Sequence, residues 1–593
     1  MNLIQRYFYL ILMCCLSLFS QAEDAVYQEV HYTIDPNSHT AEVAPNPQAY
    51  GELYIPEEIT IGQETYRVTA IGDKAFKGCK NLTAIVLPQT LKRVYRSAFD
   101  GTGIMLNKTN WTNGALYIDS CLIATDKTIK AKFIIPAGTR LIAAGAFQGN
   151  KALTRVEFPA SVHRIDHETF RDCKNLTRAI IPQTINEIGE DAFTNSGIWN
   201  NEKKWKRGAL YIDGCLIAIN DNVPAKFVFK NKIPTRLIAA GAFANNKKIK
   251  SVIIPTTVSD IPNAAFYKCE NLTDVTIPAS VKQVGNFAFY SCKLLREATL
   301  PTDIESLGMG AFYGCENLRK QTLSNRLTII PQGCFYLCRS IQHITLPEHL
   351  LKIDNGAFTG CSSLEDLKFP TTIKEIGEMA FAGCAKFVEV SIPEQVININ
   401  KGVFTSCTHL RKVVLPDGTY AIGDEAFKGC VTLERINIPK STFRIGKSAF
   451  QNCLQLRNIY LVDHIHLIEE GAFQECKMLE DIVLPESLTI LEQGAFAQCV
   501  SLRTIKFNKK LRTIENGAFY ECRQLREITL PDSVQTIGEE AFMNCKNLRK
   551  VVLPEGLKKI GASAFKDCES LMVPYYPVSA LVGKNAFKGC KDR

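Results

Sequence analysis

The sequence predicts a repeat solenoid, an arc of stacked coils with a parallel β-sheet on its concave face and a short β-rich cap at the N-terminus. A phenylalanine recurs every 23 residues from Phe266 to Phe565, a cysteine follows most of these phenylalanines three residues later, and each period contains one short apolar segment. Self-similarity at a fixed period of this length is typical of solenoids. With 46% hydrophobic and 22% charged residues, the chain of 593 residues is globular rather than disordered.

The N-terminus reads as an export signal over residues 1–22. An early cation precedes an apolar run, and Ser20 and Ala22 provide the small side chains expected before cleavage after Ala22. A lipoprotein signal at Cys14 or Cys15 is the alternative, although bulky residues precede both cysteines. No later stretch approaches the roughly 18 apolar residues of a transmembrane helix. We therefore expect a secreted or cell-surface protein without a transmembrane segment after the signal peptide.

The remaining chain divides by the regularity of its pattern. Residues 23–66 precede the repeats and form the predicted β-rich cap. Residues 67–593 form the predicted solenoid, with irregular coils over 67–265 and regular 23-residue coils over 266–593.

One complete repeat unit is "AFYKCENLTDVTIPASVKQVG", residues 265–285. Its segment "LTDVTIP" alternates apolar and polar residues, is rich in β-branched side chains, and ends at Pro278, which predicts a short strand. Because each period holds one such strand, each strand must pair in parallel with its copy one coil away. A single coil cannot bury its own apolar face, so the stability resides in the contacts between neighbouring coils.

Two intervals between phenylalanines are nearly twice the normal period, Phe99 to Phe147 and Phe193 to Phe243. Each contains a covert coil that follows a shared segment of the form "GALYID.CLIA". Counting these covert coils gives roughly 23 coils in total.

The repeat unit resembles the leucine-rich repeats of the BspA-like family, whose 23-residue consensus is close to "LTSVTIPxSVTxIGxxAFxxCxx". The resemblance extends from Thr69 to the end of the chain. It implies a curved leucine-rich-repeat solenoid and an exported surface protein of a host-associated bacterium or protist. Some members of the family bind host matrix proteins, plasma proteins or other bacteria. The family supplies no catalytic residues and no cofactor.

The recurring phenylalanine and cysteine are predicted to form a structural ladder in the core. Its representative members are Phe266, Phe289, Phe312, Phe404, Cys269, Cys292, Cys315 and Cys384. Seventeen of the 22 cysteines lie three residues after a Phe, and the same slot elsewhere holds Thr102, Asn150, Ser196 and Asn246. These side chains are all small and form hydrogen bonds, so the slot favours a compact polar group in a turn.

Two other roles for the cysteines are less favoured. A zinc site needs a tetrahedral cluster of ligands rather than a line of thiols. Disulfides are common in exported proteins and remain the alternative. However, stacked copies of one residue point their Cβ atoms in parallel, which disulfide geometry resists. We therefore expect buried free thiols.

Candidate catalytic or metal-binding residues are few. His464 and His466 form a His-x-His pair near Glu469, which suggests a metal site, but a variable loop explains the same residues. The sequence contains no phosphate loop, nucleophile elbow or HExxH motif. The chain is therefore predicted not to be an enzyme, and no catalytic, cofactor or metal residues are assigned. The net charge of +9 is modest for this length and does not indicate nucleic-acid binding.

Charged residues recur seven positions after each Phe, beside the predicted strand. Over four coils this column alternates in sign, which is typical of cross-strand ion pairs. These four residues are Arg411, Glu434, Arg457 and Glu480. The next three coils break the alternation and place like charges on adjacent strands. Residues 501–593 hold 17 Lys plus Arg against 10 Asp plus Glu.

The predicted ligand-binding residues lie in this basic segment: Arg503, Lys506, Arg526, Arg549 and Lys550. We predict an exported protein that acts as an adhesion-type binding surface for host or matrix proteins or for polyanions such as acidic glycans. We also predict that the protein is a monomer. A structural spacer of the cell envelope is the second hypothesis, since these charges are also compatible with a solvated surface. A metal-dependent enzyme is a distant third.

Overall fold

The computed structural model describes residues 23–36, 38–229, 234–365 and 367–592. The predicted signal segment lies outside these residues. The described chain forms two compact units, one ending at Cys269 and the other beginning at Glu270. Both consist of short strands paired in parallel from coil to coil, with one short α-helix in the first unit. The predicted solenoid of parallel strands is confirmed.

A mixed sheet lies at the start of the first unit. The strands of this part are β1 (Glu23–Tyr27), β2 (Val30–Asp35), β3 (Thr40–Val43), β4 (Gly51–Tyr54), β5 (Glu58–Ile61), β6 (Glu64–Ile71), β7 (Leu82–Val86) and β8 (Arg93–Val94). The sheet order is β1-β2-β3-β6-β5, with β8 beside β6 and a separate parallel pair of β4 and β7. Alternate residues of β2 are buried, as expected for a sheet with one face on the core.

Each later coil contributes to two ladders of parallel strands. In the first ladder the strands are mostly three residues long and bury their middle residue, whereas in the second ladder they are two residues long and bury the second residue. In the first unit, the first-ladder strands are β12 (Lys132–Ile134), β14 (Arg155–Glu157), β16 (Arg178–Ile180), β21 (Lys226–Val228) and β23 (Ser251–Ile253). The second-ladder strands there are β13 (Leu141–Ile142), β15 (Arg164–Ile165), β17 (Glu187–Ile188), β22 (Leu237–Ile238) and β24 (Asp260–Ile261).

The shared segments of the two long repeats form antiparallel hairpins. Their strands are β9 (Trp111–Thr112), β10 (Ala115–Ile118) and β11 (Cys121–Thr125) in the first, and β18 (Trp205–Lys206), β19 (Ala209–Ile212) and β20 (Cys215–Ile219) in the second. Helix α1 (Gly103–Leu106) and a 3₁₀ turn (Lys108–Asn110) precede the first hairpin, and a 3₁₀ turn (Glu202–Lys204) precedes the second. Each hairpin interrupts the first ladder, which resumes at β12 and at β21.

The second unit repeats the two ladders with a constant register, so that Lys412 pairs with Arg435 and Asn398 with Ala421. Its first-ladder strands are β25 (Asp274–Thr276), β28 (Lys320–Thr322), β30 (His343–Thr345), β33 (Glu389–Ser391), β35 (Lys412–Val414), β37 (Arg435–Ile436), β40 (Asp481–Val483), β42 (Thr504–Lys506), β44 (Glu527–Thr529) and β46 (Lys550–Val552).

The second-ladder strands of this unit are more numerous, because nearly every coil forms one. They are β26 (Gln283–Val284), β27 (Ser306–Leu307), β29 (Ile329–Ile330), β31 (Lys352–Ile353), β32 (Glu375–Ile376), β34 (Asn398–Ile399), β36 (Ala421–Ile422), β38 (Arg444–Ile445), β39 (Leu467–Ile468), β41 (Ile490–Leu491), β43 (Thr513–Ile514), β45 (Thr536–Ile537), β47 (Lys559–Ile560) and β48 (Leu581–Val582).

The core between the ladders is a stack of phenylalanine rings. Phe404 is fully buried, and its ring centroid lies 5.8 Å from that of Phe381 and 5.7 Å from that of Phe427. Phe266, Phe289 and Phe312 are likewise 0% exposed. Each ring therefore rests on the ring of the neighbouring coil, and no coil completes its own core.

The cysteine slot has a specific hydrogen-bonding role. Sγ of Cys384 donates to the carbonyl oxygen of Phe358, one coil earlier, at 3.4 Å, and Cys315 donates to Phe289 at 3.2 Å. Burial raises the pKa of the Cys384 thiol well above its ordinary value, so the thiol stays protonated and can donate. All the cysteines among the described residues are free thiols.

The polar residues that replace cysteine also satisfy backbone groups. Nδ2 of Asn246 donates to the carbonyl oxygen of Asn220 at 3.3 Å, and Oγ1 of Thr102 donates to that of Phe99 at 2.8 Å. Nδ2 of Asn150 donates to the carbonyl oxygen of Asp126 at 2.8 Å, whereas Oγ of Ser196 accepts from the backbone of Trp199 at 3.2 Å. The slot thus selects a compact hydrogen-bonding side chain, and the partner varies with the local backbone.

Candidate ligand-binding surface

The first ladder of the second unit presents side chains to solvent on both sides of each buried middle residue. In β46, Lys550 and Val552 are exposed whereas Val551 between them is buried. This alternation follows from the strand geometry, in which successive side chains point to opposite faces. The exposed side chains of neighbouring coils therefore form columns along the ladder.

The predicted cationic residues lie in these columns. We call Arg503, Lys506, Arg526, Arg549 and Lys550 the basic patch, and all five side chains are exposed. The backbone nitrogen of Arg549 donates to the carbonyl oxygen of Arg526 at 2.7 Å, which places these two arginines on neighbouring strands. Lys550 pairs in register with Glu527.

No cation of the basic patch has an ionic partner among the described residues, because no carboxylate oxygen lies within 4.0 Å of its nitrogen atoms. The patch is also divided, since β42 pairs with β40 while β44 pairs with β46 in a separate sheet. Arg503 and Lys506 therefore belong to one sheet, and the other three cations to the next. The patch consists of two rigid groups of cations rather than one continuous ladder.

The alternating column beside the patch forms fewer ion pairs than its signs suggest. Nη1 of Arg457 lies 3.3 Å from Oε1 of Glu480. Arg411 and Glu434 are on neighbouring strands, because the nitrogen of Glu434 donates to the carbonyl oxygen of Arg411 at 2.9 Å, but their charged groups do not approach within 4.0 Å. Of these two contacts, the one between Arg457 and Glu480 is an ion pair and the one between Arg411 and Glu434 is not.

The His-x-His pair does not assemble a metal site with Glu469. Both carboxylate oxygens of Glu469 accept from Arg444, at 2.7 and 2.6 Å, and Nδ1 of His466 lies 2.8 Å from the carbonyl oxygen of His464. No group of three or more His, Cys, Asp or Glu side chains suited to a metal ion occurs in the described part of the chain.

The first unit contains a buried ion cluster that the sequence analysis did not identify. Its centre is Asp166, whose side chain is 1% exposed and whose Oδ2 lies 3.1 Å from Nε of Arg93 and 3.4 Å from Nε of Arg164. Arg164 also binds Glu187 on the neighbouring strand. Burial lowers the pKa of His167, although the adjacent Asp166 acts in the opposite direction.

A second row of charges lies next to this cluster. Glu168 accepts from Arg96 at 2.7 Å and also binds Arg171, which lies 2.9 Å from Asp191. Burial raises the pKa of Glu190 in the same row to about 8. The paired charges of this row satisfy one another, and Arg96 and Glu168 do so although they are 72 residues apart in sequence. This is a structural use of ionic groups. In the sequence, the signal for this ion cluster is Asp166. It directly follows a second-ladder strand, at a position where the next coil has Gly189.

None of the described helices is long and apolar enough to cross a membrane.

The chain matches one family model, described as BspA type leucine rich repeat region (6 copies). The matches cover more than half of the chain, at residues 55–130, 106–202, 236–362, 328–457 and 466–592. Comparison with curated proteins gave no match.

Solved structures of three bacterial proteins are also similar to this chain. A leucine rich cell surface protein from Faecalibacterium prausnitzii is 21% identical, with a TM-score of 0.32, and the match covers 74% of this chain and 95% of that one. A leucine-rich repeat protein from Bacteroides ovatus is 21% identical, with a TM-score of 0.24 and coverage of 94% and 99%. A leucine-rich repeat protein from Eubacterium ventriosum is 21% identical, with a TM-score of 0.34 and coverage of 65% and 94%.

Proposed function

The chain belongs to the BspA type leucine-rich repeat family, and from that premise we propose that it is an exported or cell-surface protein that binds host or matrix proteins or polyanions in an adhesion-type role. The basic patch is the proposed contact surface. The observation that carries the proposal is the absence of an ionic partner for any of its five exposed cations among the described residues.

The arrangement is unfavourable unless an anion binds. Strands in a sheet lie about 4.8 Å apart, so cations on neighbouring strands repel one another at short range. Arg526 and Arg549 are held in this way by the backbone hydrogen bond between them. An anionic partner that spans several coils offsets this repulsion, and the fixed spacing allows it several contacts at once. Because the charges are exposed, we expect the binding to weaken steeply as salt is added.

The test is binding of immobilised heparin, chondroitin sulfate and matrix proteins to the whole protein at two salt concentrations. The triple variant Arg503→Glu, Arg526→Glu and Arg549→Glu should lose at least nine tenths of the binding without a lower unfolding temperature, since none of the three residues forms an ion pair. Removal of exposed charges seldom alters stability by more than about 1 kcal/mol.

The matched control is Arg457→Glu, two coils before the first residue of the patch. This change breaks the pair with Glu480, so it should lower stability slightly and leave binding intact. If the triple variant binds all tested polyanions and matrix proteins as well as the parent, the patch is solvated surface and the spacer hypothesis gains support.

A further inference from the structure

A partly exposed column of one aliphatic and three aromatic-ring residues lies along the second ladder of the second unit, whereas the basic patch lies along the first ladder. Its members are Ile397, Tyr420, Phe443 and His466, one from each of four consecutive coils. Backbone hydrogen bonds join them, since the nitrogen of each residue donates to the carbonyl oxygen of the preceding member at 2.7, 2.9 and 2.9 Å. The column is therefore as rigid as the ladder that it precedes.

The rings of the column stack on one another. The centroids of Tyr420 and Phe443 are 5.5 Å apart with an interplanar angle of 6°, and those of Phe443 and His466 are 4.6 Å apart at 18°. Nevertheless Tyr420 is 52% exposed and Ile397 50% exposed. His466 is also exposed, whereas Phe443 between the rings is half-buried. Because the ring faces cover one another, solvent meets the ring edges, which suits apolar side chains of a partner better than the flat face of a sugar.

Two further exposed apolar residues lie beside the column, one in its last coil and one in the coil that follows. Leu467 and Ile490, which belong to β39 and β41, are 39% and 47% exposed. A group of neighbouring exposed apolar residues marks an interaction site more often than a single exposed residue does. We call the column together with these two residues the apolar strip.

A row of carboxylates borders the strip. Glu394, Asp417, Asp463 and Glu486 are exposed, and each lies in the turn that precedes a residue of the column or its continuation. Across the part of the chain that the structure describes, no cationic nitrogen lies within 4.0 Å of these four carboxylates. The coil of Phe443 departs from the pattern, because Lys440 takes the equivalent position.

The turn and the strip are in contact. A Cβ atom on Gly418, which follows Asp417, would lie 3.5 Å from Cγ2 of Ile397. We call these four carboxylates the acidic rim.

Arg444 lies at the opposite border of the strip, and its positive charge is already paired. Nη2 of Arg444 donates to Asp424 and to Glu469, both at 2.6 Å, so its charge is already matched by two carboxylates. Among the described residues, the charges named around the strip, four unpaired carboxylates against Lys440, are therefore net negative, whereas the basic patch consists of five cations. Charge complementarity calls for a cationic partner.

We propose that the apolar strip and the acidic rim bind a cationic amphipathic helix of a partner protein. An α-helix advances 5.4 Å per turn, close to the roughly 4.8 Å between coils, so one apolar side chain per turn can contact successive members of the column. Lys and Arg side chains beside that apolar stripe then reach the rim. Laying an amphipathic helix on an apolar surface is an established mode of peptide recognition. This site is independent of the basic patch.

The experiment uses three synthetic 18-residue peptides and the whole protein. The first has Leu along one helical face and Lys elsewhere, the second has Glu in place of Lys, and the third has the composition of the first in scrambled order. We expect the first peptide to bind at least tenfold more tightly than either of the others. The double variant Ile397→Ser and Tyr420→Ser should weaken this binding at least tenfold, and so should Glu394→Lys combined with Asp417→Lys.

A matched control separates this site from general attraction of cations. Asp532 and Glu555 occupy the rim position in two later coils, where the column position holds Gln535 and Lys558 instead of apolar residues. The variant Asp532→Lys with Glu555→Lys should bind the first peptide as the parent does. The proposal is wrong if this control loses as much binding as the rim variant, if the scrambled peptide binds equally well, or if the Ser variants bind normally at an unchanged unfolding temperature.

Discussion

The two units of this protein use the same 23-residue register but stack their core rings differently. In the unit that ends at Cys269, neighbouring rings are tilted by 28° between Phe76 and Phe99 and by 24° between Phe147 and Phe170. In the unit that begins at Glu270, Phe312 and Phe335 differ by 2° and Phe358 and Phe381 by 3°. The pairs of both units are 23 residues apart, so the period alone does not set the angle between neighbouring rings.

The difference extends to the polar groups. Where the first ladder stops at a hairpin, a side chain replaces the missing strand: Oδ2 of Asp119 accepts from the nitrogen of Leu87 at 2.7 Å, and Oδ2 of Asp213 accepts from that of Ile181 at 2.8 Å. The irregular unit thus relies on long-range side-chain contacts, including the ion cluster at Asp166. The regular unit relies on repetition, which leaves columns of charged and apolar side chains exposed to solvent.

The largest effect is expected from the ring stack. Phe404→Ala removes a fully buried ring between Phe381 and Phe427, and such truncations cost about 3–5 kcal/mol. In a linear array of coils, this loss of stability should first affect the coils next to Phe404. Hydrogen exchange should therefore accelerate at residues 381–430 before it does so near residue 560. Unchanged exchange there would show that Phe404 is not part of the core.

The same truncation in the irregular unit sharpens the comparison. Phe170→Ala should cost a similar amount, since Phe170 is also 0% exposed and stacked on both sides, by Phe147 and Phe193. A much smaller cost would indicate that side-chain contacts, rather than the stack, hold that unit together.

The second-largest effect is expected from the ion cluster around Asp166. Asp166→Ala leaves Arg93 and Arg164 without their shared carboxylate, and removal of one partner of a buried pair costs about 3 kcal/mol or more. Chemical denaturation that monitors the first unit should detect the loss. The control is Glu480→Ala in the regular unit, where an exposed pair is worth less than about 1 kcal/mol. Equal losses would contradict the distinction between the two units.

The smallest effect concerns the cysteine slot. Cys384→Leu adds volume to a fully buried position and removes the donor to Phe358, which should cost about 1–3 kcal/mol. Cys384→Asn should cost less, because Asn246 donates to a backbone carbonyl from the same slot in the first unit. Thermal unfolding of the two variants gives the ranking. An Asn variant less stable than the Leu variant would show that the slot selects for apolarity rather than for a hydrogen bond.

The sequence predicts most of the fold because the repeat carries its own register. A strand, a phenylalanine and a small polar residue recur at fixed offsets, and any fold that buries the phenylalanines must stack the coils in parallel. The sequence pattern does not predict the strands of the second ladder, since these two-residue segments are too short to show a period. The ion cluster was missed for a different reason, because Arg93 and Asp166 are 73 residues apart and meet only once the hairpin between them folds back.

The basic patch and the apolar strip also differ in how far the sequence predicts them. The composition of residues 501–593 indicates the basic patch directly, because like charges at one offset must fall in one column. The apolar strip could be read from the same offsets, but only the structure shows that Tyr420 and His466 stay exposed while Phe443 is half-buried, and that no cationic nitrogen lies within 4.0 Å of the rim carboxylates among the described residues.

The sequence by itself determines the coil, its period and the residues of its core, since periodicity and apolar burial are local properties of a repeat. The tertiary structure decides where the ladders break, which charges find partners and which columns remain open. Glu434 and Arg411 show the physical reason, because opposite charges one coil apart do not pair unless side-chain geometry brings them within contact distance. Pairing depends on distances of a few ångströms in three dimensions, which a one-dimensional pattern does not contain.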